Sequence, residues 1–494
     1  MSTKSMRCLR TTLLLLFTIF GLSQLQAQKV KDYEFNFKVK GLKEGDTTML
    51  AYYLGTKQYI KDTMIVPKSG IVTYKGTELD GGIYLFVVPG MKYFEFLAVE
   101  PKVSMETDLA EMVPAMKVKT SAENTIFFEY LKFIELKHKE SEKLKLEKDN
   151  PNTTADRKAE IEKILASMDK EVVAMRDKVI AEHKGMFVSK LLYASMEPEV
   201  PKAPEGMSAD DVKKYQFHEY KRNYLKYVDF SDDRLLRSPI IQNRIKEYLN
   251  RLTVQHPDSI ILSIEDVMKL ASANKEVFKF CVITITNMWA NSKQMCFDKI
   301  YVHMAGTYYV SGRADWVDST QMSKIKDRYY KMLYNNCDRK AVNLMMKDVN
   351  DQPKNLYDVD AKYTVLVFWA WDCGHCKKEM PQLVEFLKEY KQHGVKIFAV
   401  STKEELDKWK DFIKEKGMED FINVADPENK TNFRIFYDIY STPVIYLLDK
   451  DKKIMAKRLD IFNLKKFLNH ELGLPEPTPD PNEQHDDAAG GSGK

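Results

Sequence analysis

At 494 residues the chain has room for roughly two to four domains, and 44% hydrophobic with 30% charged residues is the balance of a globular protein, not a low-complexity one. The formal net charge is only +4, from 76 basic and 72 acidic residues interleaved along the chain. That excludes a polyanion partner recognised by bulk charge: runs such as Lys137-His138-Lys139-Glu140 mix both signs and read as solvated helix faces, so no nucleic acid is expected.

The first residues have the layout of a secretory signal. Lys4, Arg7 and Arg10 precede the apolar stretch 13–22, and Leu25-Gln26-Ala27 offers a small residue for cleavage. The stretch is short of the roughly 20 apolar residues that a spanning helix needs. The expectation is a signal over 1–27, export to the periplasm or cell envelope, and no integral membrane segment after cleavage. Cys8 lies ahead of the apolar stretch, where it cannot become a lipidated mature N-terminus. The remaining cysteines are Cys281, Cys296, Cys337, Cys373 and Cys376, an odd number that cannot all pair within one chain.

From Asp32 the pattern has period two. Tyr33, Phe35, Phe37 and Val39 alternate with polar residues, and further short runs at 48–53, 59–60, 70–74, 83–88 and 93–97 are punctuated by Gly55, Gly76, Gly81 and Pro89-Gly90. This spacing predicts a β-sandwich over 28–119. The period then becomes helical. Ile161, Leu165, Met168, Val172, Met175 and Val179 alternate by four and three, a stripe that predicts a hairpin with the preceding helix. Helical patterning continues to about Tyr334, giving an all-α segment over 120–335. Strands and helices alternate from Asn336: strands at 342–346, 363–369, 395–401, 421–424, 444–448 and 454–458, with helices at 381–390, 408–416, 432–437 and 464–472. Such alternation predicts an α/β domain over 336–474 with helices on both sheet faces. The Pro-rich, acidic tail 475–494 reads as disordered.

Within the α/β segment, Phe368-Trp369-Ala370-Trp371-Asp372-Cys373-Gly374-His375-Cys376 places two cysteines where a buried strand gives way to a helix. A helix starting at Gly374 puts Cys373 at its N-terminus, where free N–H groups and the dipole favour a thiolate. Cys376, one turn on, is placed to attack a mixed disulfide formed at Cys373. His375 adds a positive charge or hydrogen bond that lowers the Cys373 pKa, whereas Asp372 opposes a second negative charge beside it. A zinc site would need further ligands, and no second CxxC or His pair accompanies this one. Two inert buried thiols fit poorly with a Gly-His dipeptide at such a turn.

These residues, with Pro381 five positions after Cys376 and Ser441-Thr442-Pro443-Val444 further on, resemble the thioredoxin fold, and more closely the TlpA/ResA-like thiol–disulfide oxidoreductases of bacterial envelopes. The resemblance covers about the last third of the chain. It implies Cys373 as nucleophile, Cys376 as resolving thiol, Trp369 and His375 in support, and a cis Pro443 whose neighbour Thr442 pairs with the substrate backbone. It implies no cofactor beyond the redox-active Cys373–Cys376 disulfide, no metal, protein thiols or disulfides as substrates, and a membrane thiol donor if the protein reduces. Val367 stands near the place of the buried Asp of thioredoxin, so proton transfer to Cys376 needs another group or water. The Gly-His dipeptide, as in disulfide isomerases, leaves the direction of electron flow open. The upstream order is similar to exported Bacteroidota proteins whose first two domains have no assigned function, so an envelope binding or assembly protein using the fold as a scaffold is the rival reading. Cys281, in an apolar helical run, reads as a buried structural thiol, with a disulfide to Cys296 as the alternative; Cys337 reads as structural rather than regulatory.

Overall fold

The computed structural model describes residues 29–478; the expected signal over 1–27 and the tail from 479 lie outside the described residues. The chain forms two compact units, one running to Gln255 and including Leu262–Thr284, the other comprising His256–Ile261 and the chain from Ile285.

The first unit opens with eight strands: β1 (Lys29–Lys40), β2 (Thr47–Leu54), β3 (Lys57–Ile65), β4 (Ile71–Asp80), β5 (Gly82–Val88), β6 (Lys92–Ala98), β7 (Lys102–Asp108) and β8 (Lys117–Thr120). They make two four-stranded sheets, ordered β4-β1-β7-β8 and β3-β2-β5-β6. The period-two pattern of β1 buries Tyr33, Phe35, Phe37 and Val39 as expected. Phe37 reaches across to the other sheet, its ring 4.6 Å from Phe86 and 5.0 Å from Phe96. β7 pairs parallel with β1 and was not legible: only Val103, Met105 and Thr107 mark its inner face, too little apolar surface for a sequence signal. β3 is nearly all exposed, which is why only two of its residues stood out.

Helices follow from Ser121, whose hydroxyl caps α1 (Ala122–Asp149). Thr154 caps α2 (Ala155–Glu182) in the same way. The two run side by side as the predicted hairpin, with Lys137 bonded to Glu171 at 2.7 Å and Lys148 to Glu162 at 2.8 Å, and the stripe buries Ile161, Met168 and Val179. The later helices are α3 (Phe187–Ala194), α4 (Ala209–Asn223), α5 (Ile240–Asn250), α6 (Pro257–Ala271), α7 (Lys275–Trp289), α8 (Asp298–Met304), which runs into a π-helical turn, and α9 (Ser319–Tyr334).

The second unit is built on a seven-stranded sheet ordered β10-β9-β13-β12-β11-β14-β15. Its strands are β9 (Met345–Asp348), β10 (Pro353–Asn355), β11 (Tyr363–Trp369), β12 (Val395–Ser401), β13 (Ile422–Ala425), β14 (Val444–Leu448) and β15 (Ile454–Lys457), and its helices α10 (Gly374–Tyr390), α11 (Leu406–Lys416), α12 (Phe433–Phe436) and α13 (Ile461–Leu472). β11 is buried on both sides, so its alternate residues serve two cores. Val365, Val367 and Trp369 join Met380, Leu383 and Leu464 on one face; Leu366 and Phe368 join Phe433, Tyr437 and Tyr446 on the other.

One expectation is corrected and one alternative is set aside. The strand expected at 342–346 lies at Met345–Asp348, because Asp348 and Lys347 pair with β13 while the Val342 carbonyl is taken by the Tyr437 hydroxyl. Cys296 does not bond Cys281; it bonds Cys337, with Cα atoms 5.5 Å apart. Cys281 is wholly buried on α7, a free thiol that burial pushes up to about 12. The backbone over 475–478 has no regular structure, although Asn469 donates to the Pro475 carbonyl at 2.6 Å.

Candidate active site

β11 delivers the chain to Ala370, and a short turn through Trp371 and Asp372 brings Cys373 to the N-cap of α10, with extended backbone angles of −78° and 125°. Its carbonyl accepts from Lys377 N–H at 3.0 Å, the first bond of the helix. Its sulfur accepts from the Cys376 amide at 3.4 Å. The Cys373 thiol in turn donates to the Thr442 carbonyl at 3.1 Å, and the Thr442–Pro443 peptide is cis. The structure therefore brings Cys373, Cys376, Thr442 and Pro443 together, as the sequence reading placed them.

The two thiols are free and differ sharply. Cys373 is half-buried. That burial raises its pKa, but the Thr442 side chain, the Cys376 amide and thiol and the His375 amide all favour the thiolate, and together they hold it below the ordinary thiol value. Cys376 is fully buried, and burial pushes its pKa up to about 12 against the Ala370 amide, at 3.5 Å, and the Thr442 side chain. One cysteine is thus partly exposed and ionisable, the other covered and protonated.

His375 is exposed, and it is its amide that faces Cys373. Trp369 is wholly buried, 5.0 Å from the Phe412 ring, and its carbonyl accepts from the Thr402 amide at 2.8 Å and hydroxyl at 3.1 Å. Trp371 lies half-buried on the same core with the Lys408 ammonium 4.5 Å from its ring. Asp372, which threatened to raise the Cys373 pKa, is paired with Lys403 at 2.7 Å. Thr402 and Lys403 were missed by sequence reasoning. The signal was available in topology: β12 runs parallel to β11 with Ser401 opposite Trp369, so the residues after Ser401 must emerge beside the cysteine turn. Arg434 closes the same edge by donating to the Thr402 carbonyl. Among the described residues, no group of three or more His, Cys, Asp or Glu is arranged to hold a metal ion, and no helix is long and apolar enough to cross a membrane.

Comparison with known proteins agrees with this geometry. A model of the AhpC/TSA family matches residues 337–457. The chain is 29% identical over 119 residues to the thiol-disulfide oxidoreductase ResA of Bacillus cereus, and 31% identical over 119 residues to that of Bacillus anthracis. Each match covers 24% of this chain and 67% of the relative. The chain belongs to the ResA-like thiol–disulfide oxidoreductases. Membership rests on the second unit alone. A solved domain of a "possible thiol-disulfide isomerase" from Cytophaga hutchinsonii is 42% identical, with 28% of this chain and 93% of that one covered, at a TM-score of 0.27. Residues 142–335 of this ResA-like protein match a domain of unknown function, DUF5106. The enzyme is a thiol–disulfide oxidoreductase with a thioredoxin-like fold.

Proposed function

We propose that this oxidoreductase is exported and exchanges disulfides with proteins of the cell envelope through Cys373 and Cys376. The observation that carries the reading is the contrast between the two sulfurs: Cys373 half-exposed with a depressed pKa, Cys376 buried and held as a thiol to about 12. In the reductive direction Cys373 thiolate attacks a substrate disulfide, one substrate sulfur leaves, and Cys376 then attacks Cys373 to release the second. Two electrons pass from the pair to the substrate, and the pair itself is the only redox group required. Thr442, before Pro443, presents backbone beside Cys373, where a substrate strand can add. Trp369 anchors the turn from below, and His375 and Trp371 flank the approach.

Reduction is slightly favoured by the resemblance to the TlpA/ResA-like family, whereas the depressed Cys373 pKa stabilises the dithiol and makes the disulfide more oxidising. In an oxidising envelope reduction calls for a membrane thiol donor to restore the dithiol. In the rival reading, an envelope binding or assembly protein, the segments 28–119 and 120–335 hold a partner and the thioredoxin-like fold is a scaffold. The test is a trapping experiment: Cys376→Ser in the native envelope, acid quench and alkylation, with mixed disulfides sought by mass spectrometry. Adducts that vanish when Cys373 is also replaced support the reading. A folded, expressed variant with no adducts would favour the scaffold role.

A further inference from the structure

A cavity of about 790 Å³ opens in the second unit at the β15 edge of the sheet, two strands away from β11 and the cysteine turn. That volume is in the range that holds a small ligand or the tip of a peptide loop. Its wall includes Cys296, half-buried, whose disulfide partner Cys337 is only 4% exposed. One cysteine of the bond therefore lines an accessible space and the other is buried. Met295, Met332 and Phe467 supply apolar wall, and the charged lining carries both signs, with Lys293 at the wall and Lys466 paired with Glu476 at 3.5 Å.

We propose that Cys296–Cys337 is a second exchangeable disulfide of this protein, opened by a dithiol that enters through this cavity. An incoming thiolate bonds to Cys296 Sγ, the Cys296–Cys337 bond breaks, and its electron pair leaves on Cys337, which takes a proton from water. The second thiol of the donor, once deprotonated, attacks the donor sulfur held on Cys296, and Cys296 leaves as a thiolate that is protonated in turn. The donor dithiol becomes a disulfide, and Cys296 and Cys337 become two thiols. The exchange is reversible because the same segments are tied independently. Lys457 binds Asp298 and the Asn335 carbonyl, and Lys299 binds both Asp258 at 2.6 Å and Asp338 at 2.7 Å. With the covalent link open, these ion pairs keep the cysteines close enough to re-form it.

The test uses the full chain carrying Cys373→Ser and Cys376→Ser, so that only this disulfide can be reduced. The protein is incubated with dithiothreitol without denaturant, quenched with an alkylating reagent and digested for mass spectrometry. Hydrogen exchange of the β11 amides is followed in parallel as a sentinel for unfolding of this unit. Cys296 and Cys337 should be alkylated together while the β11 amides stay protected. Adding Met332→Trp, which fills the cavity, should slow that alkylation about tenfold or more. Alkylation only when β11 loses protection, no alkylation at all, or a rate indifferent to Met332→Trp would each overturn the proposal.

Discussion

The Cys373 sulfur lies 3.1 Å from the carbonyl of Thr442, a residue 69 positions further along the chain. Thr442 acts on it in two opposed ways. The carbonyl accepts from the thiol and so favours the protonated form, while the side chain favours the thiolate and is the largest of the contributions that depress the pKa. Thr442→Val keeps the carbonyl and removes the hydroxyl. The Cys373 pKa should rise toward the ordinary thiol value, and its alkylation rate at pH 6 should fall by about tenfold, since a hydrogen bond to a charged group contributes on the order of 1.5 kcal/mol. An unchanged rate at pH 6 would show that the hydroxyl does not support the thiolate.

The pH dependence of the reduced pair follows from the same contrast. Only the thiolate reacts, so the rate of Cys373 alkylation should climb with pH and level off once pH passes its depressed pKa. The plateau should therefore begin below the pH at which an unperturbed thiol ionises. Cys376, raised to about 12 by burial, should stay unreactive across that whole range. Peptide-resolved alkylation between pH 5 and 10 reads both. A profile in which Cys376 reacts alongside Cys373 near neutrality would contradict the assigned asymmetry.

The parts of this arrangement that were legible in sequence are those set by local pattern. β11, β12 and β14 fall at the expected 363–369, 395–401 and 444–448 because continuous apolar runs with polar flanks leave little choice of bounds. The helix start at Gly374 followed from the turn residues before it. What escaped depends on register or on the path of the chain. Lys403 reaches Asp372 only because Ser401 stands opposite Trp369, and no feature of the local sequence sets that pairing. Cys296 finds Cys337 across 41 residues rather than the nearer Cys281, because Cys281 points into the helix's buried face. β7 was hidden for another reason: it adds to β1 through backbone bonds, with few large side chains of its own.

The Asp372–Lys403 pair makes a prediction about sign rather than size. Asp372 adjoins Cys373, and Lys403 balances its charge. Lys403→Met should leave the carboxylate unopposed, raise the Cys373 pKa and slow its reaction at neutral pH. Both partners are substantially exposed, so the loss should be no more than about threefold and should shrink further at high salt. Asp372→Asn in the same chain should restore the rate. If the single change accelerates the reaction, the pair does not act on the thiol in the manner described.

A larger effect is expected at Lys457, which crosses from β15 to Asp298 and Asn335. Its side chain is 9% exposed and that of Asp298 18%, so both charges are largely out of water. Burial pulls the Lys457 pKa below its ordinary value in spite of the carboxylate beside it, so the pair is held at a desolvation cost. Lys457→Met then leaves Asp298 buried without its cation, and local stability should fall by about 3–5 kcal/mol. Hydrogen exchange of the amides that join β14 and β15 should accelerate by about a hundredfold or more. Adding Asp298→Leu removes the stranded charge and should return most of the protection, because a well-packed apolar pair can replace a buried ion pair at little cost. If the double variant exchanges as fast as the single one, the destabilisation comes from lost packing around β15 and not from the uncompensated carboxylate.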